Sequence, residues 1–555
     1  MAISFVEILL WLNNLLTIPA NNISLEPQGK KWYWAIPTLL IPILAGLAVG
    51  LIIRKISNNA PHGILESIKA AHNIKPSLPL RDGLKSSLAV IVSMGSGASV
   101  GHYGPIAHLG TTIGSALTRV FQATHFTGSI AIGCGAAAAI ATAFNAPLAG
   151  IVFSHEVILR HYSLRSFAPI AISASTGYFM SHVVFERPPL FEVEQVENIL
   201  PTEYAVFVFI GITGAFIAAG LVRSVLKAQQ LSRSVPVQQH LKPAIAGICL
   251  GITALWMPEI LNLSSKTLEL TFVNEFFSSS DLLLIFIARF LLTAICLGFG
   301  FAGGIFSPSL LIGALFGALV GVTLESLGGI EDTNVAVYII CGMMAVTSPI
   351  VGAPLTSILI IIELTGSYDL ATASMVSVVF SNLIAYRLFG RSLFDLQLRN
   401  QQFDLSMGRD KVILNQISIK SYINRDIKIY ESNSSMRLVW EGLKQTGETE
   451  AYVVDETHRY AGTIKLPYLI SIYENLDQSG TALEHAKKET LIFTTHTTIW
   501  EAMESMTDFI GESIPVIAGN GPGYGQFVGV VHETDIIKAY LETVQSIRNE
   551  EHAAG

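Results

Sequence analysis

Charged side chains are what this sequence has least of. Asp, Glu, Lys and Arg make up 14% of its 555 residues, where a soluble globular domain carries roughly 25%. A large soluble enzyme around one core is therefore a poor description, and the mean hydropathy of +0.51 agrees. Cysteine is scarce too. Cys134, Cys249, Cys296 and Cys341 all lie inside apolar runs, so they suggest neither a disulfide framework nor a metal site. The N-terminal MAISFVEILLWLNNLL has no basic stretch and no small-residue cleavage site, which argues against a removed signal peptide. It reads instead as an amphipathic segment, residues 1–32, lying at a membrane interface. There is no nucleophile–base pair, no cluster of metal ligands and no GxxxxGK(S/T) phosphate loop, so the sequence does not describe an enzyme.

Long apolar runs are plentiful: Trp32–Ile53, Ser129–Phe153, Tyr204–Val225, Leu282–Phe301, Ile305–Leu324, Val335–Leu364 and Met375–Phe389. Many reach the ~20 residues needed to cross a bilayer. Others are shorter or contain Gly and Pro, as broken or re-entrant helices do. Charge is unevenly spread. Residues 406–555 hold 21 acidic and 13 basic residues, which is the whole net charge of −8, and residues 1–405 are balanced. We therefore expect a multi-pass membrane domain over residues 33–405 and a soluble domain over residues 406–555.

The chain repeats itself. GHYGPIAHLGTTIG, Gly101–Gly114, superposes on GIFSPSLLIGALFG, Gly304–Gly317, at an offset of 203, which aligns Pro105 with Pro308, Gly110 with Gly313 and Gly114 with Gly317. NAPLAGIVFSHE, Asn145–Glu156, matches GAPLTSILIIIE, Gly352–Glu363, at an offset of 207, and each APL is followed at the same distance by a glutamate. Duplicated membrane halves are typical of transporters, whose sites lie at the N-termini of discontinuous helices. A helix N-terminus offers four unpaired N–H groups and roughly half a positive charge. Glycines ahead of it let an anion approach the backbone, and a proline just inside it wastes no donor. Paired turns of this kind suit an anion site, and the later glycines of each segment suit close helix packing. Glu156 and Glu363, at equivalent positions, are expected to satisfy backbone or loop donors. Arg289, alone in LLLIFIARFLLTAI, is expected to snorkel or to find a partner.

These residues resemble the CLC chloride channels and chloride/proton exchangers. GHYGPIAHLG is similar to that family's G(K/R)EGPxxH turn, Gly303–Pro308 to its GxFxP turn, and both APL segments also match, so that the likeness runs over roughly residues 33–400. The resemblance implies an all-α polytopic membrane fold of 18 helices in two inverted halves, with broken and re-entrant helices, a homodimer, and a separate anion pore in each subunit. Carried over position by position, the pore turns are His62, Gly63 and Ile64 in PHGIL, Gly101, His102, Tyr103 and Gly104, then Gly304, Ile305 and Phe306, with Phe394 in GRSLF, and the resemblance implies that the amides of Ile305 and Phe306 remain as ion ligands. Several positions depart from the pattern. Tyr103 stands where the family has its gating glutamate, Val157 where exchangers have a proton-transfer glutamate, His62 where a serine is usual, and Phe394 where a tyrosine is usual.

A phenol, with an unperturbed pKa near ~10, stays neutral at physiological pH and mimics chloride poorly. With Val157 aprotic as well, the simplest inference is passive, proton-uncoupled anion conduction, with Tyr103 either a gate or a packing residue. His62 is either an anion donor, stronger when protonated, or a loop residue. Phe394 lacks the hydroxyl that would bond a central ion, a loss of on the order of 0.5–1.5 kcal/mol. The rival readings are an anion/proton exchanger that uses His62, His102 or His155 as proton acceptors, a channel for nitrate, bicarbonate or fluoride, and a transport-dead sensor. His108 matches a family position and reads as structural.

Residues 406–555 hold two similar units, roughly 415–473 and 482–545, ending in AGTIKLPYLISIY and VGVVHETDIIKAY. They resemble an α/β tandem CBS module on the cytoplasmic side. Of the nucleotide signature the second unit keeps Asp535 but has His532 at the hydroxyl position, and the first has Lys465 and Tyr468, so a regulatory, dimerising scaffold is expected ahead of an adenosine nucleotide site. The expected partners are chloride or another small anion, membrane lipid and a second copy of the chain, with no nucleic acid, no metal and no catalytic residues. The expected location is the cell (inner) membrane.

Overall fold

The computed structural model describes residues 1–552 apart from 26–30, 74–75, 122–124, 188–198, 264–266, 269–270, 272–278, 327–334, 402, 404, 406–408, 477–478, 490, 508, 510 and 520–523. Two compact units emerge, Met1–Asp404 and Leu405–Gly555.

The first unit is helical: α1 Ala2–Leu16, α2 Ile18–Leu25, α3 Lys31–Ile53, α4 Ile64–His72, α5 Leu80–Gly95, α6 Tyr103–Val120, α7 His125–Phe144, α8 Pro147–Phe153, α9 Leu164–Tyr178, α10 Glu203–Ser234, α11 Lys242–Trp256, α12 Ser279–Gly298, α13 Phe306–Ser326, α14 Val335–Val351, α15 Pro354–Thr365, α16 Tyr368–Phe389 and α17 Leu393–Asn400. Six spans among the described residues are long and apolar enough to cross a membrane: Tyr33–Ile53, Thr127–Phe144, Glu203–Ser234, Ser279–Gly298, Phe306–Ser326 and Tyr368–Asn400. The run Ser129–Phe153 breaks between α7 and α8 at Asn145 (φ 52°), and Val335–Leu364 breaks between α14 and α15 at Gly352 (φ 75°). These breaks fall at equivalent positions of the repeat. Each forces one residue into the left-handed region, where Gly and Asn are the side chains that fit most readily.

The two halves pack in the same way. A Cβ on Gly110 would lie 2.1 Å from the carbonyl oxygen of Gly135, and one on Gly313 would lie 2.4 Å from that of Gly342. Gly114 meets the Ala131 oxygen and Gly317 the Tyr338 oxygen, each at 2.1 Å. The glycine stripe thus serves backbone approach of α6 to α7 and of α13 to α14, a packing role distinct from that of the turns.

The halves also hold each other. Gly101 and Gly304 exchange two backbone hydrogen bonds of 2.7 Å. Glu363 on α15 accepts from the amides of Leu148 (2.8 Å) and Ala149 (2.8 Å) at the start of α8. Glu156 accepts from the amides of Leu355 (3.1 Å) and Thr356 (3.0 Å) and from Thr356 Oγ1 (2.8 Å) at the start of α15. Each APL helix therefore has its orphan donors satisfied by the glutamate of the other half.

Two further elements are held by specific contacts. Arg289 does not snorkel: it is 2% exposed, and its Nη2 donates to the carbonyls of Asn262 (2.7 Å) and Glu259 (3.4 Å) and to Thr267 Oγ1 (3.2 Å). It lies mid-helix against a turn whose carbonyls need donors, so reaching for water is unnecessary. Helix α1 is docked on the first unit by Phe5, Leu9 and Asn13, and Asn13 Nδ2 donates to Met94, Gly95 and Leu261 oxygens at 3.2–3.3 Å. Its other face leaves Ile8, Leu10, Trp11 and Leu15 exposed.

The second unit contains two three-stranded sheets of identical order. In the first, β1 (Ile429–Glu431) runs parallel to β2 (Glu450–Val454), which pairs antiparallel with β3 (Tyr460–Lys465). In the second, β4 (Phe493–Thr494), β5 (Ser513–Ile517) and β6 (Phe527–His532) repeat the arrangement. The sheets are joined by stacking of Tyr452 and Tyr460 on Phe527 and by buried Glu450, which accepts from Tyr452 (2.8 Å) and Ser513 (2.5 Å) hydroxyls. Burial pushes the Tyr460 phenol up to about 12, so it remains a neutral donor, and it pairs with Thr463 Oγ1 at 2.6 Å.

Candidate anion site

A cavity of about 1030 Å³ enters the first unit, and the sequence-predicted residues gather at it. His62, Gly63, Ile64, Gly104, Gly304, Ile305, Phe306 and Phe394 all line its wall. Four helices begin there: α4 at Ile64, α6 at Tyr103, α13 at Phe306 and α17 at Leu393. The halves are separated by two hundred residues of sequence, yet the Gly101–Gly304 bridge brings the starts of α6 and α13 together. Converging N-termini concentrate free N–H donors and positive potential at one place.

The side chains add to that field. Arg54, Arg233 and Lys242 line the cavity, and Glu66 is the acidic residue on its wall. Glu66 is committed locally, since its Oε2 accepts from the Gly63 amide at 2.8 Å. Sequence reasoning did not single out these three cations. They stand at the ends of α3 and α10 and the start of α11, where flanking charges are ordinary, and only the fold turns them toward one space.

His62 donates its amide to Ser86 Oγ (3.0 Å), and its ring meets His108 edge-on at 5.8 Å. His62 Nδ1 is buried and has no hydrogen-bond partner among the described residues. His108 is held by Ser67 Oγ at 2.9 Å and packs within α6, in keeping with its structural reading.

Gly101, His102 and Tyr103 do not line the cavity. Tyr103 is 2% exposed, and its ring sits behind the wall. It stacks on Phe144 at 4.1 Å, meets the wall residue Phe306 edge-on at 5.6 Å and contacts the His102 ring at 4.1 Å. Phe144 also meets Phe306 at 5.6 Å, so three aromatic rings close on one another. Phe144 was missed in the sequence. Its signal was its place at the α7 break, where it ends a helix whose partner break carries no aromatic.

Val157 is buried in the π-helical segment Ser154–Leu159 and lies away from the cavity. His155 in the same segment is 1% exposed, with Nδ1 on the His161 carbonyl at 2.9 Å and its ring stacked on Tyr162, and it does not reach the cavity either. In the second unit Asp535 lies in the first turn of the helix Glu533–His552.

Comparison with known proteins fits this geometry. The family model for voltage gated chloride channels matches residues 45–386, and that for the CBS domain matches residues 485–542. An H(+)/Cl(-) exchange transporter ClcA of Vibrio parahaemolyticus is 28% identical over 371 residues, covering 65% of this chain and 79% of its own. The chloride channel protein CLC-e of Arabidopsis thaliana is 27% identical over 388 residues, covering 64% of this chain and 53% of its own. Among solved structures, a slow cyanobacterial Cl-/H+ antiporter superposes with a TM-score of 0.65 at 24% identity, over 72% of this chain and 94% of that one. The inverted-repeat membrane fold and the C-terminal α/β sheets agree with both family models. The chain belongs to the voltage gated chloride channel family, the CLC anion transporters, as an integral membrane protein with a C-terminal CBS domain.

Proposed function

We propose that this CLC protein conducts small anions, chloride first among them, passively and without coupling to protons. The observation that carries the reading is Tyr103. It occupies the start of α6, packed between Phe144 and Phe306, at the position where a titrating carboxylate would be needed to exchange a proton for an anion. Val157, the second position of that route, is aliphatic and buried. A neutral phenol in an aromatic cluster obstructs or admits anions but carries no proton in step with them. The cavity supplies the anion with helix N-termini, the Ile305 and Phe306 amides, His62 and three cations. The protein works as a homodimer with one such pathway in each subunit.

A second reading has one observation in its favour. His62 Nδ1 and His102 Nδ1 are buried without hydrogen-bond partners among the described residues, so two imidazole nitrogens near the pathway are not committed to other groups. The test is anion efflux from proteoliposomes that also contain a pH probe. Passive conduction gives chloride flux with no proton movement against a gradient, and Tyr103→Glu alone leaves protons uncoupled because Val157 remains. Chloride-driven uphill proton movement would overturn the reading in favour of histidine-mediated exchange.

For the CBS pair we propose a regulatory, dimerising role without adenosine nucleotide. In the first half Lys465 is drawn to Glu489 (3.3 Å) and Glu450 (3.9 Å), and Tyr468 is bound to His485 Nδ1 (2.7 Å), which leaves Asp535 as the remaining signature residue. Millimolar ATP or AMP should therefore leave the thermal unfolding of the CBS unit unmoved. A saturable rise in its Tm, the signature of ligand linkage, would refute this role.

A further inference from the structure

Phe394 is the second residue of α17 and lines the cavity while 9% exposed. A phenyl ring cannot anchor itself by a hydrogen bond, so its place in the wall depends on the turn that presents it. That turn is fixed from two sides. Ser392 Oγ accepts from the Asp395 amide (3.1 Å) and donates to Asp395 Oδ2 (2.8 Å), and a Cβ on Gly352 would come within 2.7 Å of Ser392 Cβ. The other carboxylate oxygen of Asp395 pairs with Arg160 Nη1.

This ion pair is largely withdrawn from solvent, with side-chain exposures of 9% for Arg160 and 14% for Asp395. Arg160 ends the π-helical segment in the left-handed conformation (φ 58°), and its Nε points at the Val157 carbonyl at 3.4 Å. The charge of Arg391 also reaches Arg160, so Asp395 neutralises one of two neighbouring guanidiniums. Removing one member of such a pair leaves an uncompensated, partly dehydrated charge, and the elements that it joined move apart or reorient. Here the joined elements are the first half's segment 154–160 and the helix whose second residue is Phe394.

We propose that Arg160 and Asp395 are positioning residues for the anion pathway: their ion pair holds Phe394 in the cavity wall and so tunes which anions pass. The assignment rests on the reading of this cavity as the anion path. Neither residue lines the cavity, and both act through the ring of Phe394.

The test uses the full-length protein in liposomes and measures the ratio of nitrate to chloride flux. Arg160→Gln and Asp395→Asn each shift that ratio by on the order of threefold, and the double variant shifts it no further, because either change already removes the pair. In a Phe394→Ala background Arg160→Gln adds nothing. Ser392→Ala weakens the same turn while keeping both charges, gives a smaller shift, and stands in if a charge variant does not fold. Unchanged ratios in these variants while Phe394→Ala alters the ratio would overturn the proposal and leave the pathway reading intact. A shift from Arg160→Gln that persists without the Phe394 ring would also overturn it. A ratio indifferent to Phe394→Ala would instead remove Phe394 from the pathway.

Discussion

Tyr103→Ala should raise anion flux through this protein by about tenfold, the effect of lowering a barrier by about 1.4 kcal/mol. The tyrosine ring is buried between Phe144 and Phe306, so its deletion opens space directly behind the cavity wall rather than at the surface. Tyr103→Phe separates the ring from its hydroxyl: it keeps the stack and should conduct like the parent if obstruction is what matters. Phe144→Ala, which frees the tyrosine to turn, should fall between the two. The same alanine variant loses about 3–5 kcal/mol of stability, as deletion of a buried aromatic side chain does, so flux is best compared per folded protein. Equal flux in Tyr103→Ala and the parent would make Tyr103 a packing residue and move the constriction elsewhere.

The largest structural effect is expected from the two glutamates. Glu156→Ala strips three donors of their shared acceptor and Glu363→Ala strips two. A buried donor left unpaired costs about 1–3 kcal/mol, and the fully buried donors of the set, the amide and hydroxyl of Thr356, belong to Glu156, so Glu156→Ala should be destabilised by about 2 kcal/mol or more and Glu363→Ala by less. Thermal unfolding in detergent measures this directly. Variants that melt with the parent would show that the amides of α8 and α15 find other acceptors and that the capping contributes nothing. The order of the two also matters: Glu363→Ala falling well below Glu156→Ala would mean that the count of donors is not the governing quantity.

Much of this was legible in the sequence because repetition carries spatial information. The offsets between the halves put Gly101 with Gly304 and Glu156 with Glu363, and the structure turns those alignments into a bridge and a pair of reciprocal caps. The expectation that the glutamates satisfy donors follows from symmetry alone. Which donors they reach does not, because an acceptor's partner in the opposite half lies some two hundred residues away. Arg54, Arg233 and Lys242 were illegible for the same reason: each is an ordinary charge flanking a helix end and acquires a role only when folding aims it at a shared space. The Arg160–Asp395 pair joins residues 235 positions apart, and no local pattern marks either one. For Arg289, a lone cation in an apolar run leaves escape to water and pairing both open, and the fold takes the second by offering it carbonyls.

The reciprocal caps bear on how such a chain is made. Leu148 and the carboxylate that receives its amide are 215 residues apart. A ribosome has therefore synthesised α8 long before its acceptor exists. The first half is born incomplete, with bare donors at the start of a short apolar helix, and it is finished only by a residue near the end of the second. Neither half is a molecule in its own right; each is the missing part of the other.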